Sequence, residues 1–163
     1  MKFSEWLETV PSTLKNDAVW TVSGYRYALY LADLCWRDVT KLMLDRRTVA
    51  LSSQLYDAVG SVGANLAEGY SRGTGRDRAR SYEYALGSAR ESRDWYFKAR
   101  HILGELVMNH RLQLLEEIIR LTLTMIPDQR GSEMRENTVT YQATGTQAPT
   151  ILNPFLEHAP LPE

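Results

Sequence analysis

The sequence predicts an all-α protein, an antiparallel up-down four-helix bundle. The six prolines leave the 115 residues from Ser12 to Ile126 without a single proline, the strongest helix breaker. Apolar residues in this stretch recur with a period close to 3.6, which is typical of α-helices with one buried face. No alternating strand pattern competes with that period. Short connections between four such segments favour antiparallel neighbours.

Composition limits the classes of function. The chain has 163 residues, enough for one domain, and 19 basic against 20 acidic residues give a net charge of −1. The overall charge therefore neither requires nor excludes a nucleic-acid partner. The one cysteine, Cys35, fits the apolar pattern as a core residue and excludes an internal disulfide. The three histidines are scattered at His101, His110 and His158.

No catalytic residue, metal site or cofactor is predicted from this composition. The histidine spacing does not match a zinc site, and no Ser-His-Asp arrangement is present. The sequence has no secretory signal and no run of about 18 apolar residues that would predict a membrane-spanning helix. We therefore expect a cytoplasmic protein without a membrane partner.

The first helix is predicted over residues 19–43, with Asp17 as its N-cap. It carries two adjacent apolar stripes. The first stripe contains Val19, Val22, Leu29, Ala32, Trp36, Val39 and Met43, and the second contains Ala28, Leu31, Leu34, Cys35 and Leu42. Because one stripe is enough to bury a helix in its own bundle, we expect this helix to meet something else as well, such as another subunit.

Three more helices follow, with breaks predicted at residues 45–47, 72–77 and 104–110. Their apolar positions run from Leu51 to Tyr70, from Tyr82 to Leu103 and from Leu112 to Ile126. We expect Asn109 to cap the last helix and Pro127 to end it.

The domain organisation follows from this pattern, with the bundle predicted to span residues 16–127. Residues 1–15 form an N-terminal extension whose apolar cluster predicts a small docking helix. Residues 128–163 contain four of the six prolines and no helical period. That composition is typical of a disordered tail or of one that a partner orders.

The stretch "GYSRGTGR" raises the question of a phosphate-binding loop. Its glycines are Gly69, Gly73 and Gly75. It lacks the Gly-Lys-Ser/Thr of a P-loop and follows a predicted helix rather than a strand. We interpret it as a joint, in which one helix ends at glycine and the chain turns into the next.

Two polar sets lie beside the apolar stripes of the second and third helices. They are Ser61, Asn65 and Glu68 on the second helix, and Ser88 and Glu91 on the third. Gly87 is expected to allow the two helices to approach closely. We interpret the sets as a buried hydrogen-bond network that fixes helix register. A metal-dependent enzyme using Glu68 and Glu91 is an alternative, although the Glu-x-x-His pairs of di-metal bundles are absent.

A basic segment stands out in the near-neutral chain. Between Tyr70 and Arg100 there are eight basic and four acidic residues, an excess of four positive charges. Arginine suits phosphate, and the interleaved aromatic residues could stack on unpaired bases. The alternative is a solvated helix face with i,i+4 pairs such as Arg90–Asp94. The nucleic-acid-binding candidates are Arg72, Arg76, Arg78, Arg80, Arg93, Lys98 and Arg100, with Tyr82, Tyr84, Trp95 and Tyr96 interleaved.

Two stretches, "LYDAVGSVGANLAEGYSRG" and "YEYALGSARESRDW", resemble a family signature. The family is that of the small four-helix proteins encoded by intervening sequences of bacterial 23S rRNA genes. Its second helix reads Ser-x-x-x-Asn-Ile-Ala-Glu-Gly-Tyr and its third Ala-x-Gly-Ser-x-x-Glu. The matching residues are Ser61, Asn65, Leu66 in place of Ile, Ala67, Glu68, Gly69, Tyr70, Ala85, Gly87, Ser88 and Glu91.

The resemblance covers about residues 16–127 and implies an antiparallel four-helix protomer in a ring-shaped homopentamer. It also implies no known catalysis and an association with RNA or with nucleic-acid-handling partners. Relatives include the accessory variability protein of diversity-generating retroelements, which works with a reverse transcriptase. We therefore expect a non-enzymatic accessory protein that binds RNA or DNA, or supports such an enzyme. The alternative is a protein-interaction scaffold whose outer face or C-terminal tail docks another protein.

Overall fold

The structure, a computed structural model, describes residues 1–130 and 154–162, and within these ranges the protein is all-α. The all-α prediction is therefore confirmed for the described residues. The elements are α1 (Phe3–Thr9), α2 (Ser12–Lys15), a 3₁₀ turn (Ala18–Thr21), α3 (Ser23–Leu42), α4 (Val49–Ser71), α5 (Gly75–Leu103), α6 (Glu105–Arg130) and α7 (Pro154–Glu157).

The four long helices α3 to α6 build the core. Each packs against the next along the chain, and α3 also packs against α5 and α6. Their apolar faces meet because the 3.6-residue period brings the apolar side chains of each helix to one side. No helix in the described ranges is long and apolar enough to cross a membrane. The fully buried large apolar side chains include Tyr30, Leu31, Leu34, Leu42, Leu55, Val59, Leu66, Tyr96, Leu114, Leu115 and Ile118.

The two apolar stripes of α3 differ in burial. The stripe of Ala28, Leu31, Leu34, Cys35 and Leu42 lies in the core. In the other stripe, the side chains of Trp36 and Met43 are each 62% exposed. The outer stripe thus leaves apolar surface beside α4, where the Trp36 ring contacts Tyr56 at 5.9 Å between centroids.

Two predicted helix starts are wrong. Asp17 caps the 3₁₀ turn, because its carboxylate accepts a hydrogen bond from the Val19 N–H at 2.9 Å, and α3 begins only at Ser23. Asn109 lies inside α6. The break between α5 and α6 is the single residue Gly104, whose φ of 83° and ψ of 158° fall in a region open essentially to glycine alone.

The predicted end of the last helix is also wrong, since α6 continues through Pro127 to Arg130. Proline removes one backbone hydrogen-bond donor. Because Pro127 lies in the last turn of α6, the helix loses one hydrogen bond there and still continues to Arg130. Most of the predicted tail, residues 131–153, lies outside the described residues. Leu156 and Ala159 near the C-terminus are buried, and α7 packs against α1 and α6.

The glycine-containing joint connects helix to helix, at residues 72–74. Thr74 caps α5 by accepting a hydrogen bond from the Asp77 N–H at 3.1 Å. The expected glycine end of α4 is wrong, because Gly69 lies within the helix and Gly73 does not adopt a positive φ. Gly69 instead packs against Tyr82, since an added Cβ would lie 2.5 Å from Tyr82 Cε1.

Gly87 does not allow the close approach expected of it. It is exposed, and an added Cβ would meet no atom within 4 Å. The close contact between α4 and α5 is instead made at Gly69, whose added Cβ would meet Tyr82 and Ser81 of α5.

A charged network lies fully buried between α3, α5 and α6. Arg111 donates two hydrogen bonds to the Asp38 carboxylate, at 2.8 and 3.0 Å, and both side chains are 0% exposed. The Tyr96 hydroxyl donates to the same carboxylate at 3.0 Å. Burial lowers the pKa of Arg111, but the hydrogen bond to Asp38 and its charge outweigh burial and raise that pKa above its usual value.

The same network holds the C-terminal segment. Arg111 Nη2 also donates to the Pro160 carbonyl at 2.9 Å, and its Nη1 lies 2.9 Å from His110 Nδ1. Cys35 is fully buried beside the network, as predicted for a core residue. Burial raises the pKa of its thiol to about 12, against a lowering by its hydrogen bond with Tyr96.

Candidate nucleic-acid interface

Helix α5 carries six of the seven predicted phosphate-binding residues. It has 29 residues, so it is about 43 Å long at 1.5 Å per residue. Its buried face consists mainly of small and aromatic residues, among them Ala79, Tyr82, Ala85, Ala89, Tyr96 and Ala99. The charged residues of α5 lie on its remaining surface, some on the side facing α4 and others on the side facing α6.

The side facing α4 holds a polar cleft of about 320 Å³. Arg72 forms an ion pair with Glu68, and Arg80 donates a hydrogen bond to the Tyr84 hydroxyl at 2.9 Å. Two arginines and two carboxylates line this α4-side cleft, so its charges are balanced. Its lining consists of Glu68, Arg72, Asp77, Arg80, Ser81 and Tyr84.

Lys98 also lies on exposed surface but is engaged by its own helix. Its ammonium forms an i,i+4 ion pair with Asp94 and lies 4.4 Å from the centroid of the Trp95 ring. Such exposed pairs contribute only about 0–1 kcal/mol. A phosphate could therefore replace the carboxylate at little cost.

The side facing α6 holds a shallow groove of about 470 Å³, which we call the α6-side groove. It is lined by Arg90, Arg93, Asp94, Phe97 and Leu112. The Arg90–Asp94 pair considered as an alternative is not formed, because Asp94 pairs with Lys98. Neither Arg90 nor Arg93 has an ion-pair or hydrogen-bond partner among the described residues.

Arg100 lies about one helical turn after Phe97 and contacts it. Its guanidinium lies 4.0 Å from the centroid of the Phe97 ring and donates to the Phe97 carbonyl at 2.7 Å. The Phe97 side chain is still 51% exposed. An arginine cation stacked on an exposed ring is a combination that proteins use on nucleic-acid bases.

The two remaining arginines behave differently. Arg78 is half-buried, donating to the Arg72 carbonyl at 2.7 Å and to the Gln129 side chain at 3.5 Å. It therefore ties the start of α5 to the end of α6. Arg76 is exposed and lies on the first turn of α5.

The aromatic residues of the segment do not share one role. Tyr82 and Tyr96 are buried in the core and cannot stack on a base. Tyr84 is exposed on the α4 side, and Trp95 is half-buried. Phe97 is not among the residues predicted from the sequence, although it lies outside the buried stripe and four residues after Arg93, which places both on one face.

The predicted buried polar network is wrong. None of the hydrogen bonds that the structure gives these residues joins α4 to α5: Asn65 donates to the Ser61 carbonyl at 2.8 Å, and Trp95 donates to Glu91 at 3.2 Å. The Ser88 carbonyl accepts from the Ser92 hydroxyl. Glu68 and Glu91 are exposed, because apolar residues and Gly69 occupy the contact between α4 and α5.

The proposed carboxylate pair has no metal-binding cluster around it. No group of three or more His, Cys, Asp or Glu side chains that could hold a metal ion occurs in residues 1–130 or 154–162. Glu68 instead pairs with Arg72, the residue that follows α4, and Glu91 accepts a hydrogen bond from Trp95 of its own helix.

The match to known proteins lies on the four long helices. The family model described as 23S rRNA-intervening sequence protein matches residues 22–126. The chain belongs to this family. The family range contains α3, α4, α5 and most of α6, and therefore both the α4-side cleft and the α6-side groove. Helices α1, α2 and α7 lie outside it. Searches of curated proteins and of solved structures gave no match to the chain.

Proposed function

We propose that this family member is a non-enzymatic, cytoplasmic accessory protein that binds RNA or DNA, or supports an RNA-handling enzyme such as a reverse transcriptase. The observation that carries the proposal is the exposure of unpaired arginine side chains on α5, within a segment that has four excess positive charges. The family name, which refers to 23S rRNA, supports RNA as the polynucleotide. No cofactor is part of the proposal.

A salt series with a structured RNA tests this function. We expect a shift in electrophoretic mobility at low salt, and an apparent affinity that falls linearly on a log–log plot as salt rises. The slope should be about −0.7 to −0.9 per phosphate neutralised. Absence of binding at low salt, with and without a reverse transcriptase, would contradict the proposal.

We also propose that α3 to α6 form an antiparallel up-down bundle, which assembles into a ring-shaped homopentamer. The exposed side chains of Trp36 and Met43 on α3 support the pentamer, because their stripe also lines, through Leu29 and Ala32, a shallow groove of about 200 Å³ between α3 and α4. Small residues there would let a second copy approach closely. The groove is lined by Tyr25, Ala28, Leu29, Ala32, Val59, Gly60, Gly63, Ala64 and Ala67.

Replacing Trp36 with lysine should break this assembly. A charge at a side chain that an interface buries carries a desolvation penalty of several kcal/mol, so light scattering should show smaller species. Leu106→Lys is the matched control, since Leu106 is 79% exposed and lies on α6, away from the α3–α4 surface. A wild-type chain that scatters as a monomer would overturn the pentamer.

The second candidate function is a protein-interaction scaffold. The same apolar surface, with Trp36 and Met43 exposed, favours it if no second copy covers that surface. Pull-down with Trp36→Lys tests this function better than truncation at Asp128. Truncation would also remove Leu156 and Ala159 from the core and the Pro160 carbonyl from Arg111.

A further inference from the structure

We propose that the α6-side groove is a binding site for unpaired nucleotides of a single-stranded polynucleotide, with Phe97 as the stacking platform and Arg90 and Arg93 as the phosphate ligands. This inference rests on the proposed nucleic-acid function and names the part of α5 that performs it. Neither Arg90 nor Phe97 is among the residues expected from the sequence.

The charges of the groove favour a polyanion. Arg90, Arg93 and Arg100 follow one another at i, i+3 and i+10, so they lie along one face over about 15 Å of helix. The one carboxylate lining the groove, that of Asp94, is already paired with Lys98. Arg90 and Arg93 therefore have no carboxylate partner among the described residues, unlike Arg72 in the α4-side cleft.

The ring in the groove favours unpaired bases. Phe97 has no hydrogen-bonding group, so it cannot read a base edge, but its exposed ring can stack on any base. Arg100 supports that ring from 4.0 Å, and Leu112 supplies an apolar wall from α6. In a duplex the base faces are already stacked and lie out of reach.

Fluorescence anisotropy with labelled 12-nucleotide oligo-U and oligo-A RNAs, their DNA equivalents and a 12-base-pair RNA duplex tests the platform. Phe97→Leu keeps the apolar volume but removes the ring. We expect it to weaken single-strand binding about 5- to 160-fold, the usual contribution of one stacked base, and to change duplex binding less than about two-fold. Phe97→Trp should restore single-strand affinity. The comparison of RNA with DNA shows which polynucleotide the groove prefers.

The paired substitution Arg90→Gln with Arg93→Gln tests the phosphate ligands. The slope of log affinity against log salt for single strands should become shallower by about 1.4, or 0.7 for each lost contact. The control, Arg37→Gln with Arg46→Gln, removes the same charge from two exposed arginines outside the groove and should leave the slope unchanged.

The outcomes separate this inference from the proposed function. If the wild-type chain binds no polynucleotide at low salt, both are overturned. If it binds but the groove variants match the wild type, or if it prefers the duplex, the groove assignment alone is overturned. Loss confined to the groove variants, with rescue by Phe97→Trp, supports the assignment.

Discussion

Replacing Arg111 with methionine is expected to lower the free energy of unfolding by about 3–5 kcal/mol. The substitution removes both hydrogen bonds to Asp38 and leaves that carboxylate buried at 0% exposure, with the Tyr96 hydroxyl as its remaining donor among those described. It also removes the donor to the Pro160 carbonyl. Urea unfolding followed by circular dichroism measures the change, which is large against the 5–15 kcal/mol typical of whole domains.

Two further variants show whether the buried charge is the cause. Asp38→Leu combined with Arg111→Met should regain much of the loss, because an apolar pair leaves no uncompensated charge. Arg120→Met is the surface control. The Arg120 side chain is 61% exposed and pairs with Glu117, so its replacement should lower the free energy of unfolding by at most about 1 kcal/mol. An equal decrease in the free energy of unfolding for Arg111→Met and Arg120→Met would contradict a larger effect of the buried pair.

Replacing Gly69 with alanine is expected to destabilise the protein by about 1–3 kcal/mol, although alanine is the better helix former. The new Cβ would lie 2.5 and 2.7 Å from two atoms of the Tyr82 ring and 3.1 Å from Ser81 Cβ. Tyr82 is 3% exposed, so a shift of its ring away from the new Cβ would disturb the packing between α4 and α5. Thermal and urea unfolding measure the change.

Gly87→Ala is the matched control for this substitution. Gly87 is also a mid-chain glycine of a long helix, but a Cβ there meets no atom within 4 Å. Alanine should therefore stabilise the helix by up to about 1 kcal/mol. A loss of stability at Gly87 similar to that at Gly69 would contradict the packing explanation.

The long helices could be predicted from the sequence because their apolar period is regular. The stripes from Leu51 to Tyr70 and from Tyr82 to Leu103 lie within α4 and α5. The boundaries were less predictable, since they depend on single backbone conformations. Gly104 alone separates α5 from α6 through its positive φ, and a one-residue break barely interrupts the hydrophobic pattern around it.

The buried charges were missed because Asp38 and Arg111 are residue types usually found on the surface. A signal was nevertheless present. Asp38 lies four residues before Leu42 and three after Cys35, on the buried stripe of α3. Arg111 holds the corresponding place between buried residues of α6. A lone charge on an apolar stripe predicts a buried partner.

The basic surface was predicted only in outline. Charge counting located the positive segment, but not which cations are already engaged. Arg72 and Lys98 each pair with a carboxylate four residues earlier in the chain, whereas Arg90 is unpaired in the described chain because Asp94 pairs with Lys98. The choice between such competing i,i+4 partners depends on side-chain geometry that spacing alone does not specify.

The burial of Cys35 makes its thiol a probe of local unfolding, in which α3 separates from α5. Thiol reagents attack the thiolate, and with a pKa of about 12 and no exposed surface the sulfur is protonated and inaccessible at neutral pH. Labelling must wait for α3 to separate from Tyr96 on α5. Since the chain has one cysteine, one equivalent of a disulfide reagent is consumed per molecule, and its rate of consumption equals the rate of opening when labelling is faster than reclosing.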